Sequence, residues 1–259
     1  MQQNSRRDFI KKTALAGIAS TGFTAMQALA DANLEKAAKK DQLNFLFQGD
    51  SITDGNRGRN KDPNHILGHG YAFSIASRTG ASFPEQANQF YNRGISGNKI
   101  TDLQQRWQTD TLDLKPDVLS ILIGVNDTDS VVKQQNIVTV EKYEEVYRSL
   151  LDQTRTQLPG CILVLCEPFI MPVGRVKDNW TAWNEDMQKR QIVVARLAKE
   201  YKTVFVPLQK IFNAAVSRAA ADYWIWDGIH PTYSGHELIT REWIRQVGAA
   251  LHFLRKLHF

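Results

Sequence analysis

The chain has 259 residues, 42 % of them hydrophobic, and a formal charge of +5 at pH 7. That length accommodates an α/β domain with a large core, and that composition argues against disorder. Arg6, Arg7, Lys11 and Lys12 against Asp8 place +3 of the charge in the first thirty residues, and no dense basic patch interleaved with aromatics follows, so nucleic-acid binding is disfavoured.

The N-terminal segment reads as a targeting sequence. Arg6-Arg7 precedes an apolar run from Thr13 to Ala30 that closes Ala28-Leu29-Ala30. This is a basic n-region, an h-region and a small-x-small cleavage site, the pattern of a bacterial twin-arginine export signal over 1–30. The expectation is a periplasmic or secreted protein cut after Ala30. An uncut anchor is the competing reading, but Gly17, Ser20, Thr21, Gly22, Thr24 and Gln27 make a poor membrane span. Residues 31–42 form a polar, lysine-rich lead-in. The domain proper is expected over 43–259, with no repeat, no second-domain boundary and no later membrane span.

Leu43, Phe45 and Phe47 alternate along a run that stops at Gly49, which predicts a buried strand followed by a turn. The turn carries Asp50, Ser51, Thr53 and Asp54. A serine there can face the crevice where open α/β sheets bind ligands; equally, Ser51 and Thr53 could cap the next helix. A polar loop with Arg57, Arg59 and Lys61 leads to a predicted helix from near Leu67 to about Thr79. Asn88 to Arg93 reads as a second strand ending at Gly94. Ile100, Leu103, Trp107 and Leu114 mark a helix interrupted by Pro116. Asp117 to Ile123 is a buried strand ending Gly124-Val125-Asn126-Asp127, followed by a polar loop to about Asn136. Val140, Tyr143, Val146, Tyr147, Leu150 and Leu151 mark an amphipathic helix. Cys161 to Cys166 reads as a strand, Trp180 to Tyr201 as a helix, and Thr203 to Val206 as a fifth strand. A short helix from Leu208, the run Tyr223 to Pro231, and a helix from Tyr233 to about Leu251 complete the chain. Continuous apolar strands alternating with helices predict a five-stranded parallel sheet covered on both faces. The spacing of Cys161 and Cys166 puts them on opposite faces of one strand, too far apart to bond.

Ser51, Gly94 and Asn126 each follow a predicted strand, and Asp227 with His230 follows the last strand–helix unit. Parallel strands present their carboxyl ends to one edge, so these residues can converge. Ester hydrolysis needs a nucleophile, a base and oxyanion donors. Ser51 is the candidate nucleophile and His230 its base. Asp227 would hold the imidazole tautomer. The N–H groups of Ser51 and Gly94 and the Asn126 carboxamide could form the oxyanion hole. Pro231 disfavours helical geometry at His230 and keeps that stretch a loop.

Gly49-Asp50-Ser51-Ile52, Gly94, Gly124-Val125-Asn126-Asp127 and Asp227-Gly228-Ile229-His230-Pro231 resemble, in order and spacing, the four blocks of the GDSL, or SGNH, hydrolase family. The resemblance spans about 43 to 250. It implies a flavodoxin-like three-layer α/β/α sandwich, with Ser51, Gly94, Asn126 and His230 as the namesake residues and Asp227 as third triad member. Gly68-His69-Gly70-Tyr71, Asn92 to Asn98, Asp102-Leu103 with Arg106-Trp107, and Lys115-Pro116-Asp117 are similar to bacterial acetylxylan esterases of that family. The implied activity is removal of acetyl or other short-chain esters from xylan or related saccharides, with no cofactor. A homo-oligomer is compatible with this reading. The loops at 56–66, 127–138 and 168–180 depart from the pattern and should shape the pocket. A lysophospholipase or thioesterase for longer acyl chains, and a catalytically silent carbohydrate-binding module, are the alternatives.

The remaining polar and aromatic residues divide more evenly. Asp50, Arg57, Tyr71, Trp224 and Trp226 are candidate substrate contacts, although Asp50 also fits a role supporting the Ser51 turn. Trp183 fits the core. Arg57 and Arg59 could meet an acidic sugar, but loop arginines are ordinarily solvated. Asp54 and Asp127 could pair as in a glycosidase, but read better as local caps. His65 and His69 are two loop histidines that read as polar surface rather than as ligands, so no metal site is expected. G-x-x-x-x-G-K-[ST], G-x-G-x-x-G and G-x-S-x-G are all absent.

Overall fold

Five strands, β1 (Asn44–Gly49), β2 (Gln89–Asn92), β3 (Val118–Leu122), β4 (Ile162–Cys166) and β5 (Val204–Val206), pair in the order β2-β1-β3-β4-β5, all parallel. The computed structural model describes residues 42–257 and 259. The export signal read over 1–30, and all of the lead-in except Gln42, lie outside the described residues. Nine α-helices connect the strands in the described residues: α1 (Ser51–Asp54), α2 (Tyr71–Ser82), α3 (Ile100–Trp107), α4 (Val125–Val132), α5 (Val140–Gln157), α6 (Trp180–Glu200), α7 (Leu208–Ala215), α8 (Ala221–Trp224) and α9 (Tyr233–Val247).

Alternating strand side chains feed two cores. Phe45, Phe47, Val118, Leu122, Val164 and Cys166 pack with residues of α2, α7 and α9 on one face. Leu46, Leu119, Ile121, Leu163 and Leu165 pack with α3, α5 and the later half of α6 on the other. The result is the three-layer α/β/α arrangement expected from the strand pattern. Cys161 and Cys166 fall into opposite cores, as their five-residue spacing requires, and both are unpaired. Burial pushes both thiols up to about 12, so neither forms a reactive thiolate at neutral pH.

The helices form where apolar residues recur every three or four positions. In α5 the buried residues are Tyr143, Val146, Tyr147, Leu150, Leu151 and Thr154, and Thr139 Oγ1 caps the helix by accepting from Lys142 N. In α9, Trp243 packs against Phe45 and Phe47 of β1 and donates its Nε1–H to Ser120 Oγ of β3 at 3.0 Å. One side chain thus ties the last helix to the two central strands.

Two departures from the sequence reading bear on the site. First, α2 begins at Tyr71 rather than near Leu67. Residues 65–69 turn back instead, with Gly68 N donating to His65 O and His69 N to Gly55 O. Second, Val125–Val132 is a helix where a polar loop was expected. Asp127, Thr128 and Ser130 have low helix propensity because their side chains compete for backbone groups. Here tertiary partners occupy those side chains. Asp127 accepts from Ile100 N at 3.1 Å, and Thr128 Oγ1 donates to Asp186 Oδ2 at 2.7 Å. Arg190, fully buried in α6, completes the clamp by donating to Asp186 Oδ2 and to Val138 O, each at 2.7 Å.

Strand order reverses between β1 and β3, so a crevice opens at their carboxyl ends. Among the described residues no helix is long and apolar enough to cross a membrane. Trp243→Ala should cost about 3–5 kcal/mol in urea-unfolding free energy, because it empties the β1 contact and leaves the Ser120 hydroxyl with Cys166 Sγ as its remaining partner.

Candidate active site

Ser51 is the first residue of α1, immediately beyond β1. Asp50 caps the turn, its Oδ1 accepting from Ile52 N at 3.0 Å. A Cβ on Gly49 would lie 2.3 Å from both Leu122 O and Thr53 Oγ1, so the chain can fold back over β3 only with glycine there. The position leaves the Ser51 N–H among the donors that a helix start does not use internally.

His230 and Asp227 sit on the loop before α9. An antiparallel bridge between Ile225 and Pro231, with Trp226 N donating to His230 O at 3.2 Å, closes that loop. Asp227 Oδ1 accepts from the N–H groups of Ile229 (3.0 Å) and His230 (2.7 Å), which leaves Oδ2 free to meet His230 Nδ1 at 2.8 Å. A proton on Nδ1 leaves Nε2 as the acceptor for the Ser51 hydroxyl, 2.8 Å away. Burial would raise the Asp227 pKa. The hydrogen bonds from the His230 ring and from the His230 and Ile229 backbone outweigh it and bring the carboxyl down to about 2. The 168–176 loop secures the other side, with Met171 N on Gly228 O, Arg175 N on Asp227 O and Arg175 Nε 3.6 Å from Asp227 Oδ2.

Asn126 lies in the first turn of α4, above the end of β3. Its Nδ2 donates one hydrogen to Asn98 O at 3.0 Å, leaving the second for a ligand. Gly94 packs directly on α1: a Cβ there would lie 2.3 Å from Asp54 N. Its N–H is engaged, donating to Asn92 Oδ1 at 2.9 Å. Asn92 is a site residue that single-residue reading missed. Its Nδ2 meets the carbonyls of Thr53 (2.7 Å), Leu67 (3.0 Å) and Asp54 (3.2 Å), clipping the end of β2 to α1. The only sequence signal was its place in Asn92-Arg93-Gly94; the three carbonyls converge only in the fold.

The candidate substrate contacts divide. Asp50, Tyr71 and Trp224 are buried, and each is held by partners within the fold. Tyr71 donates to or accepts from Thr53 Oγ1 at 2.8 Å and stacks on His236, while Trp224 Nε1 donates to Ala215 O. Trp226 is 63 % exposed, with its ring 6.4 Å from that of His230 and nearly parallel to it. Arg57 is half-buried and donates to Gly94 O at 2.9 Å. Asp54 and Asp127 do not act as a pair: Asp54 binds Arg59 and caps Ser96 N, while Asp127 caps Ile100 N. His65 is exposed beside Asp62. Trp183 is in the core, as expected.

Buried titratable groups surround the serine. Burial raises Asp50 to about 7 and Asp127 to about 6. His236, absent from the sequence-level candidates, accepts from Tyr71 N through Nδ1 at 3.1 Å. Burial, reinforced by His69 and His230, lowers it to about 4.

A parallel α/β sheet carrying hydrogen-bonded serine, histidine and aspartate side chains at its switch point has the make-up of a serine hydrolase. The model of the GDSL-like Lipase/Acylhydrolase family matches residues 47–238, and the chain belongs to that family. An acetylxylan esterase from Geobacillus stearothermophilus is 34 % identical over 210 residues, covering 79 % of this chain and 93 % of the relative. A crystal structure of that esterase superposes with a TM-score of 0.70 at 32 % identity, covering 80 % of this chain and 94 % of the other. A GDSL-like lipase structure from Parabacteroides merdae gives a TM-score of 0.77 at 41 % identity, covering 81 % and 97 %. The chain is accordingly a carboxylic ester hydrolase.

Asn92→Leu should lower stability by about 2–4 kcal/mol, since it leaves the Gly94 N–H and buried carbonyls unpaired; chemical denaturation reads this directly. His236 is neutral in the fold and has an ordinary pKa near 6.5 when unfolded. Its contribution is therefore full above pH 6.5 and declines as pH falls towards 4. Asp50 and Asp127 work in the opposite sense over the same range, because the folded state keeps their protons. Subtracting the wild-type pH–stability curve from that of His236→Asn isolates the histidine. The difference should move in the variant's favour by roughly 3 kcal/mol between pH 7 and 4.

Proposed function

We propose that this chain is an exported serine esterase that removes acetyl groups from saccharides, xylan or related plant polysaccharides and their fragments, through an acetyl-enzyme. The observation that carries the reading is the unbroken line from Ser51 Oγ through the His230 ring to Asp227 Oδ2, with 2.8 Å at each step.

Ser51 Oγ attacks the acetyl carbonyl while His230 Nε2 takes its proton, and Asp227 stabilises the resulting imidazolium. The oxyanion meets the Ser51 N–H and the unused Asn126 Nδ2 hydrogen. Gly94 N–H is a third donor, shared with Asn92 Oδ1. Collapse breaks the ester bond, and His230 gives its proton to the departing sugar oxygen, which leaves as a hydroxyl. A water then repeats the sequence on acetyl-Ser51 and releases acetate. The exposed Trp226 ring beside His230 offers an apolar face for a sugar unit. The acetylxylan esterase relative supports a glycan substrate, and Arg6-Arg7 with the apolar run after it supports export, with the lead-in over 31–42 preceding the hydrolase domain over 43–259.

Ser51→Ala should reduce turnover of 4-nitrophenyl acetate by roughly 10⁴-fold or more with the melting temperature preserved. Normal turnover would remove Ser51 from the mechanism. With 4-nitrophenyl esters from two to twelve carbons, kcat/KM should fall steeply beyond acetyl. A rise towards long chains would establish the lysophospholipase or thioesterase reading instead.

A further inference from the structure

Residues 57–61 and the end of β2 enclose a cavity of about 320 Å³ beside Gly94. Every charged residue lining it is cationic: Arg57, Arg59, Lys61 and Arg93. Their own partners leave most of that charge unbalanced. Asp54 pairs with Arg59 at 2.6 Å. Arg57 Nε is directed to a neutral carbonyl, Gly94 O. Arg93 Nε is buried with no hydrogen-bond partner among the described residues. Lys61 is exposed and forms no ion pair among them. Burial is the largest cause that pulls the Arg57 guanidinium down to about 10, with the charges of Arg59 and Arg93 adding to it and those of Asp54 and Asp110 opposing it. A buried, unpaired guanidinium N–H is costly, and Arg93 therefore brings to the cavity wall a charge that the fold compensates poorly.

The placement relates this cavity to the reacting centre. Arg93 directly precedes Gly94, and Arg57 holds Gly94 from the other side. Asp54, the partner of Arg59, belongs to the same short helix as Ser51. An anion in the cavity would therefore sit next to the chain segment that faces the ester. Guanidinium groups match the planar, two-oxygen geometry of a carboxylate, and a saccharide carries that group as a uronic acid.

We propose that Arg57, Arg59, Lys61 and Arg93 form an anion subsite for the carboxylate of a uronic-acid unit, so that the esterase selects acidic over neutral acetylated saccharides. This rests on the glycan-esterase reading and narrows it.

The test separates binding from turnover. Ser51→Ala protein is titrated calorimetrically with xylotriose bearing one glucuronic acid and with neutral xylotriose, neither acetylated. The acidic trisaccharide should bind at least about tenfold tighter, and about 0.5 M NaCl should erase the preference. Adding Lys61→Gln, an exposed change that leaves folding alone, should reduce the preference, and adding Arg93→Gln should abolish it. Equal affinity for the two sugars, or a preference unmoved by both substitutions, overturns the subsite. Displacement of the acidic sugar by equimolar inorganic phosphate also overturns it, since the cavity would then be a general anion site. Acetate release from the acetylated forms by the unmodified enzyme tests the underlying function separately. Release without selective binding leaves the esterase and removes the subsite; selective binding without release keeps the subsite and removes the glycan-esterase reading.

Discussion

Two backbone segments meet at the carboxyl edge of the sheet more closely than side chains would allow. Gly49 brings the β1 turn against Leu122 O, and Gly94 brings the end of β2 against Asp54 N, each with room for no Cβ. This double contact sets where α1 begins and hence where Ser51 stands. Asn92 locks it by holding carbonyls of Thr53, Asp54 and Leu67 with one carboxamide. The parallel sheet converts the local crowding into a site, because its strand order reverses between β1 and β3 and the segments after both open into one crevice. Asn126 reaches that crevice from β3, and the Asp227–His230 loop reaches it from the far end of the chain.

The electrostatics of the crevice follow from burial. Asp227 remains ionised because it spends its oxygens on three N–H groups, two from the backbone and one from the His230 ring. Asp50 and Asp127 have fewer donors and lie deeper, so burial dominates and both retain protons to higher pH. The carboxylates therefore differ in role: Asp227 faces the imidazole and is charged, Asp50 caps the Ser51 turn, and Asp127 caps the start of α3. The 57–61 loop contributes Arg57, Arg59 and Lys61, and among these Arg59 is paired directly with Asp54.

Much of this architecture was legible in the sequence because it rests on period-two alternation. The run from Cys161 to Cys166 assigns its residues to opposite cores by parity alone, and the structure separates them in that way. Ser51, Gly94, Asn126, Asp227 and His230 were legible because each follows a strand end or a loop break, and the fold places all of them at one edge. The failures share a cause. Helix α4 was hidden because Asp127, Thr128 and Ser130 disfavour a helix until groups outside it engage them: Ile100 N for Asp127, Asp186 and Arg190 for Thr128, and Val138 N for Ser130. Tyr71 and Trp224 carry the side chains of sugar-stacking residues, and their burial under α9 and α7 depends on packing that no local pattern encodes. Asn92 and His236 act through backbone groups brought to them by other segments, so neither announces itself by type or spacing.

In the proposed mechanism the His230 ring activates the Ser51 hydroxyl. Stoichiometric labelling with a fluorophosphonate, read by mass spectrometry of the digested protein, tests it most directly. One adduct is expected, on the peptide containing Ser51, formed at a rate that falls by orders of magnitude in His230→Ala. An adduct on another serine, or an equal labelling rate without the imidazole, would contradict it.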